Sequence, residues 1–358
     1  MDRYDGHAKS FATTFNEAMA DPSFADRATL IEVPPALDRL PRGPFNLADE
    51  LTLFWRVLRA AFAVPALLLF SSRGHFKPEV LAVVLLSLLP ARMRPQIVLY
   101  GEMFEPNPGF AGWCERLVMR LADRAISRYV VYSTAERQVF AENWGVSPEK
   151  IRFCPFFIVP RDTLTEAGHS KADLRGGHVF AGGNSFRDYD PLLDAARTMP
   201  GVEFYIGTRR LDSRQDLPGN VRAAWFDRDE WDRLVSTAAV VVVPLRPDLR
   251  RTAGLLTVLE AMWSRRPLVV SDALGVRDYV AHGVTGLVVD GTAESYARTL
   301  RWALEPEGRR ALAAMGEAGH GEVLERFTLA NHCSTMLRVI DEALAEAPAP
   351  EAGRMQRV

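Results

Sequence analysis

Three observations predict an α/β fold with parallel sheets, divided between two domains. Short apolar strands alternate with amphipathic helices almost throughout the chain. Its 358 residues suffice for two ordinary cores. The alternation also lapses over 159–177, a stretch rich in Asp, Thr, Gly and Lys. It restarts at the buried run His178-Val179-Phe180-Ala181-Gly182-Gly183.

The elements follow in order. Helices are predicted over 10–20, 47–62, 78–89, 110–123 and 134–144, where apolar residues recur at helical spacing. Strands are predicted between them over 29–33, 66–71, 96–100 and 129–132, and 151–154 leads into Pro155. Each is a short apolar or β-branched run. After the linker come a strand over 178–183, a helix over 189–198, and strands over 203–207 and 221–224. A helix over 228–237 and a buried strand over 239–243 follow. Residues 249–289 read as a loop, a helix, a buried strand, a second small helix and another strand. Helices then run to the strongly amphipathic 331–345, and a Pro/Ala/Glu-rich tail over 347–358 reads as disordered.

Composition narrows the function classes. The chain is 48% hydrophobic and 25% charged with a net charge of −2, so there is no electrostatic case for a nucleic-acid partner. The three cysteines, Cys114, Cys154 and Cys333, are scattered without metal-ligand spacing, which suits a reduced compartment. The first twenty residues are polar and mixed in charge, unlike a secretory signal. No apolar run reaches the roughly 18 residues of a membrane span. A cytoplasmic protein is expected. Arg56, Arg59, Arg73, Arg92 and Arg94 surround the apolar runs 60–70 and 80–90, so peripheral contact with the inner face of the cell membrane is the further expectation.

The densest chemistry lies in 249–289. Arg250, Arg251 and Thr252-Ala253-Gly254 precede a helix, whose N-terminus offers unpaired N–H groups and positive dipole character to an anion. Thr252 is expected to cap that helix, turning the amides of Ala253, Gly254 and Leu255 toward a phosphate. Glu260 follows among Leu256, Leu259 and Met262, a lone carboxylate suited to a sugar hydroxyl beside the phosphates. A second loop, Gly182-Gly183-Asn184-Ser185-Phe186-Arg187, follows a strand and precedes a helix. Its glycines allow close approach of a ligand, and Arg187 can grip a diphosphate bidentately. Asp188-Tyr189-Asp190 and Asp227-Arg228-Asp229 spell the DxD of metal-dependent transferases. Both stand at helix starts, where aspartates serve as caps and dipole partners, so no metal site is expected.

The segment Glu260-Ala261-Met262, Arg266-Pro267-Leu268-Val269-Val270-Ser271-Asp272, Gly275, Val280, Gly283 and Thr285-Gly286-Leu287-Val288-Val289 resembles the donor-binding motif of retaining GT-B glycosyltransferases of the family-4 type, the group 1 glycosyl transferases. The resemblance implies two Rossmann-like domains facing across a cleft, with the last helix crossing back to the first domain. The expected organisation is an acceptor-binding domain over 1–158, a linker over 159–177, a nucleotide-sugar domain over 178–327, a returning helix over 328–346 and a tail over 347–358. The family's first domain opens with a strand before a Gly-rich turn. Here Arg3-Tyr4-Asp5-Gly6-His7 reads as that turn with no strand before it, so the first strand is expected to be missing.

By the same resemblance Glu260 takes the ribose hydroxyls, Arg187 and Arg250 or Arg251 the diphosphate, and the Gly183-Asn184 turn lies beside them. Trp225-Phe226 and Arg209 line the nucleobase region. The chain departs from the family's Glu-x7-Glu pair at one place: Thr252 stands where the first glutamate, which touches the transferred sugar, would fall. Glu102, His75 and His7 are rival candidates for a base toward the acceptor hydroxyl. The implied activity moves a sugar from a nucleotide diphosphate donor to a glycan, lipid-linked or small-molecule acceptor, with retention. The donor is a substrate, and no cofactor is needed. A non-catalytic sugar-nucleotide-binding or scaffold subunit, and a sugar-nucleotide epimerase on the same fold, are the alternatives.

Overall fold

A computed structural model describes residues 47–70, 78–100, 105–160 and 177–347. These fall into two compact units. The first holds the described chain up to Val131, Arg137–Cys154 and the residues from Cys333 onward. The second holds Tyr132–Glu136 and the described part of Pro155–His332.

The first unit is built on a four-stranded sheet in the order β1-β2-β3-β4: β1 (Ala66–Phe70), β2 (Gln96–Tyr100), β3 (Ile126–Val131) and β4 (Ile151–Phe153). Every neighbouring pair is parallel. β2 is buried from Ile97 to Tyr100, as a parallel strand covered on both faces must be. Helices α1 (Leu47–Ala61), α2 (Pro78–Leu86), α3 (Gly109–Asp123) and α4 (Glu136–Trp144) accompany it. α2 packs between α1 and α3, and Val83, Leu86, Met119, Ala122 and Trp144 join Ile97, Leu99 and Tyr129 in one core.

The second unit has a six-stranded, all-parallel sheet in the order β10-β9-β8-β5-β6-β7. Its strands are β5 (Val179–Gly182), β6 (Phe204–Gly207), β7 (Val221–Ala224), β8 (Val240–Val243), β9 (Leu268–Ser271) and β10 (Leu287–Val289). Its helices are α5 (Asp190–Arg197), α6 (Arg228–Thr237), α7 (Leu255–Trp263), α8 (Ala293–Leu304) and α9 (Pro306–Arg326). Strand alternation divides the core into two layers. Val241 and Val243 pack with Leu234, Val258 and Met262 on one face. Val240 and Val242 pack with Leu192, Leu193 and Leu300 on the other.

The last helix, α10 (Leu329–Ala345), leaves the second unit and enters the first at Cys333. Its end is tied there by Arg128 to Glu342 and Glu346, and by Arg152 to Glu342 at 2.8 Å. The chain therefore has an α/β fold of two parallel-sheet domains with a returning C-terminal helix. Among the described residues no helix is long and apolar enough to cross a membrane.

Two elements differ from expectation. The helix predicted over 134–144 starts only at Glu136, because Thr134 gives both its N–H and its hydroxyl to Asp278, each at 2.8 Å. Tyr132–Glu136 thus belongs to the second unit. β3 begins earlier than the predicted 129–132. Its polar Ser127 and Arg128 conceal it in the sequence, and Arg128 is buried because α10 supplies its carboxylates. The helix over 10–20, the strand over 29–33 and most of the linker and tail lie outside the described residues.

Candidate functional site

The order of the second sheet reverses between β8 and β5. A parallel α/β sheet opens a ligand crevice at such a reversal, beyond the carboxyl ends of its strands. Two loops meet there. Asp188 N–H donates to Pro244 O at 3.0 Å and Arg246 N–H to Phe186 O at 3.2 Å, bracketing an antiparallel bridge between Arg187 and Leu245. The loop after β5 carries the backbone cost of this junction. Gly183 has φ 113° and Phe186 φ 58°, and the second, a non-glycine, is worth about 1–3 kcal/mol of strain.

That loop places Arg187 inside the protein, 4% exposed. Its Nε donates to Gly182 O at 2.9 Å, Nη1 to Ser185 O at 3.0 Å and Nη2 to Thr257 Oγ1 at 3.3 Å. All three acceptors are neutral, and among the described residues no carboxylate pairs with it. Burial accordingly lowers its pKa from the usual guanidinium value. A Cβ on Gly183 would lie 2.8 Å from Nη2, and one on Gly254 would lie 3.1 Å from Nη1. Only glycines let the two loops close on the guanidinium. Three of its five N–H groups serve the protein, leaving one on each terminal nitrogen for a ligand.

Gly254 is also the N-cap of α7, with φ 77° and no side-chain cap. The expectation that Thr252 caps this helix is overturned. Thr252 lies two residues earlier, 6% exposed, and its N–H donates to the Glu136 carboxylate. The first intrahelical bond runs from Val258 N–H to Gly254 O. The amides without intrahelical acceptors are therefore those of Gly254, Leu255, Leu256 and Thr257, which include Gly254 and Leu255 of the expected set but not Ala253. Ala253 packs its side chain in the core.

The other described candidates lie on the neighbouring loops and helices of the second unit. Asn184 Oδ1 accepts from Thr208 Oγ1 and from Arg209 N–H, both at 2.9 Å, joining the loops after β5 and β6. The Arg209 guanidinium lies 4.4 Å from the centre of the Trp225 ring, and Trp225 is exposed. Arg251 lies over the Phe186 ring at 5.1 Å, while Arg250 is exposed on the surface. Glu260, 1% exposed, accepts from Trp231 Nε1 at 3.0 Å. Its other oxygen is 3.7 Å from Arg228 Nη1. Asp227 caps α6 by accepting from Glu230 N–H at 2.8 Å, the role expected of it. Glu102, His75 and His7 lie outside the described residues.

Sequence reasoning missed Trp231 and Glu136. Trp231 carries a weak signal, a large aromatic with a polar tip in the charged first half of its helix. Glu136 carries none, for it reaches Thr252 across 116 residues of sequence. Burial raises its pKa, while the bonds from Thr252 and Tyr132 and the charge of Arg251 oppose the shift.

A buried guanidinium without a carboxylate, set at a helix N-terminus between two glycines, can hold an anion. Comparisons with known proteins agree with the fold that carries it. Residues 192–306 match the family model described as Glycosyl transferases group 1. A glycosyltransferase from Rickettsia africae superposes with a TM-score of 0.61 at 14% identity, covering 86% of this chain and 84% of that one. Anabaena HepE in complex with UDP gives 0.61 at 16% identity, covering 81% and 82%. Sucrose-phosphate synthase from Thermosynechococcus elongatus gives 0.60 at 15% identity, covering 94% and 93%. At these identities the likeness is one of fold, the GT-B fold. No curated protein matches the chain.

Proposed function

We propose that this protein is a glycosyltransferase that moves a sugar from a nucleotide diphosphate donor to an acceptor hydroxyl, with retention of anomeric configuration. The observation that carries the reading is Arg187. Its charge is buried beside Gly183 and the N-terminus of α7, with no carboxylate paired to it among the described residues, so positive charge stands in place before any ligand arrives. A diphosphate supplies what is missing. As the glycosidic bond to the donor breaks, negative charge grows on the leaving diphosphate. Fixed donors in a desolvated site stabilise that charge most. The family match over 192–306 and the UDP and UDP-glucose complexes of HepE support a sugar nucleotide as the anion.

In this reading Glu260 takes the ribose, and Trp225 with Arg209 flanks the base. The loops around Glu102, His75 and His7 serve the acceptor, and arginines and helix amides do the neutralising without a metal ion. The acceptor is a glycan, a lipid-linked sugar or a small molecule, and the enzyme works in the cytoplasm. Thr252 favours a second reading, a sugar-nucleotide-binding subunit without turnover, because Glu136 engages its amide where the resembled family places a sugar-binding glutamate.

Titration calorimetry with UDP, GDP, ADP and TDP tests both. One nucleotide is expected to bind in the micromolar range, and the product made from its sugar donor should keep the donor's anomeric configuration by NMR. Binding without turnover across acceptor classes would select the second reading, and absence of binding by all four nucleotides would remove both. Turnover unaffected by EDTA is expected for the metal-free mechanism.

A further inference from the structure

We infer that Glu136 is the positioning residue for the segment that enters α7, and that its carboxylate raises the affinity of the site for a diphosphate even though both carry negative charge. The inference deepens the nucleotide-donor reading above and rests on its binding step alone.

The contacts involved lie within the second unit. Glu136, 9% exposed, is the first residue of α4. Its Oε1 accepts from Thr252 N–H, and its Oε2 accepts from Tyr132 N–H at 3.0 Å. One buried carboxylate thus joins two backbone segments that are far apart in sequence. Residues 132–136 are themselves anchored. Thr134 donates twice to Asp278, and Tyr279 Oη donates to Tyr132 O at 2.6 Å. The turn that carries Asp278 and Tyr279 closes on the same place. At Gly275, with φ 81°, a Cβ would sit 2.4 Å from Thr252 Oγ1 and 2.6 Å from Ser133 Oγ. Three segments therefore meet around Thr252, and the Glu136 carboxylate bonds the one that leads into α7.

From Thr252 the chain reaches the anion site in two residues. Gly254 caps α7, and a Cβ there would sit 3.1 Å from Arg187 Nη1. Arg251, on the other side of Thr252, lies over the Phe186 ring and favours the Glu136 charge. Fixing the Thr252 amide thus fixes where the amides at the start of α7 stand relative to Arg187. Two effects of Glu136 on an anion then oppose each other. Its charge repels a diphosphate, across the Thr252 backbone and against the nearby charges of Arg251 and Arg187. Its charge-assisted bond, made at contact distance, holds donors in place before the diphosphate arrives, so less is lost in ordering them. Contact outweighs the more distant repulsion. Glutamine at 136 would keep one acceptor oxygen and turn an N–H2 group toward the other amide. Neutralising Glu136 therefore separates the two effects by sign: repulsion alone requires tighter binding of the anion, and positioning requires weaker binding.

The test takes whichever of UDP, GDP, ADP and TDP the wild type binds, together with its monophosphate, and measures both affinities by calorimetry in the wild type, Glu136→Gln and Asp278→Asn. The wild type should prefer the diphosphate by at least about tenfold. Glu136→Gln should weaken the diphosphate by at least about tenfold and narrow that preference by at least about threefold. Tighter diphosphate binding in Glu136→Gln would overturn the inference in favour of simple repulsion. An unchanged preference would overturn it as well, whether both ligands weaken alike or neither does, since a merely structural role does not distinguish one phosphate from two. A wild-type preference near one has the same meaning. Asp278→Asn loosens residues 132–136 from an exposed contact and decides the matter alone if Glu136→Gln does not fold. The preference should narrow there too, and an unchanged one would count against Glu136. Failure of the wild type to bind any of the four diphosphates is a different result, and it removes the donor reading itself.

Discussion

Arg187 is a buried charge whose observed partners are neutral. Burying a guanidinium costs several kcal/mol, and that cost is ordinarily offset by a carboxylate. Here three neutral acceptors offset only part of it. Arg187→Met, which keeps most of the volume, should therefore leave the fold within about 1 kcal/mol of wild type by urea denaturation. Diphosphate affinity should fall by at least about a hundredfold, as expected for losing charge-assisted bonds in a desolvated site. A variant that binds nucleotide as tightly as wild type would remove Arg187 from the site. The surrounding residues make the same point. Gly183 and Gly254 are glycines because the guanidinium fills the space of a side chain.

At the scale of elements, α10 carries a buried switch of protonation. His332 near its start gives Nδ1–H to Pro155 O at 2.6 Å and packs on Phe157. Burial holds its pKa down at about 4, against 6.5 for a free histidine, and the Pro155 bond only partly opposes the shift. The unfolded chain therefore takes up a proton near pH 6.5 that the folded chain refuses until about pH 4. Stability contributed by neutral His332 is complete above pH 6.5 and is lost as pH falls toward 4, by up to about 3 kcal/mol. Urea denaturation at pH 7 and at pH 4.5 should show this loss in the wild type and a smaller one in His332→Asn. Equal slopes would mean that His332 does not govern it. The loops follow similar physics. Tyr132–Glu136 leaves the first sheet and is held in the second unit by Asp278 and Tyr279, so α4 starts two residues late.

For the molecule as a whole, the first unit presents a surface unlike the second. Trp55 and Phe62 at α1, Leu88 after α2, and Phe110 and Trp113 on α3 are exposed, and the last two rings stack at 5.8 Å. A shallow hollow of about 330 Å³ on α1 is lined by Leu51, Thr52, Trp55, Arg56 and Arg59. Aromatic side chains beside arginines suit an anionic lipid surface. The expectation of peripheral membrane contact is testable at this surface. Co-sedimentation with vesicles of anionic phospholipid at low salt should exceed that with neutral vesicles. Replacing Trp55 and Trp113 by serine should reduce it severalfold. Equal sedimentation with both vesicle types, or none with either, would leave the surface without that role.

Local chemistry made much of this protein legible in its sequence. Segments such as Gln96–Tyr100 and Val221–Ala224 are strands whose limits match expectation, and the glycine turn after β5 lies where 182–187 placed it. The alternation of strands and helices determined two parallel sheets, because a strand buried on both faces writes its burial into a continuous apolar run. Tertiary structure alone decided the partners. Thr252 looks like a cap until Gly254 takes that place, and Glu260 looks free until Trp231 reaches it from another helix. Glu136 gives no local sign of its bond to Thr252, and Arg128 hides in β3 until α10 returns with its carboxylates. The reason is physical. Propensity and periodicity act over a few residues, whereas a buried polar group is satisfied by whatever the fold brings beside it, from any distance along the chain.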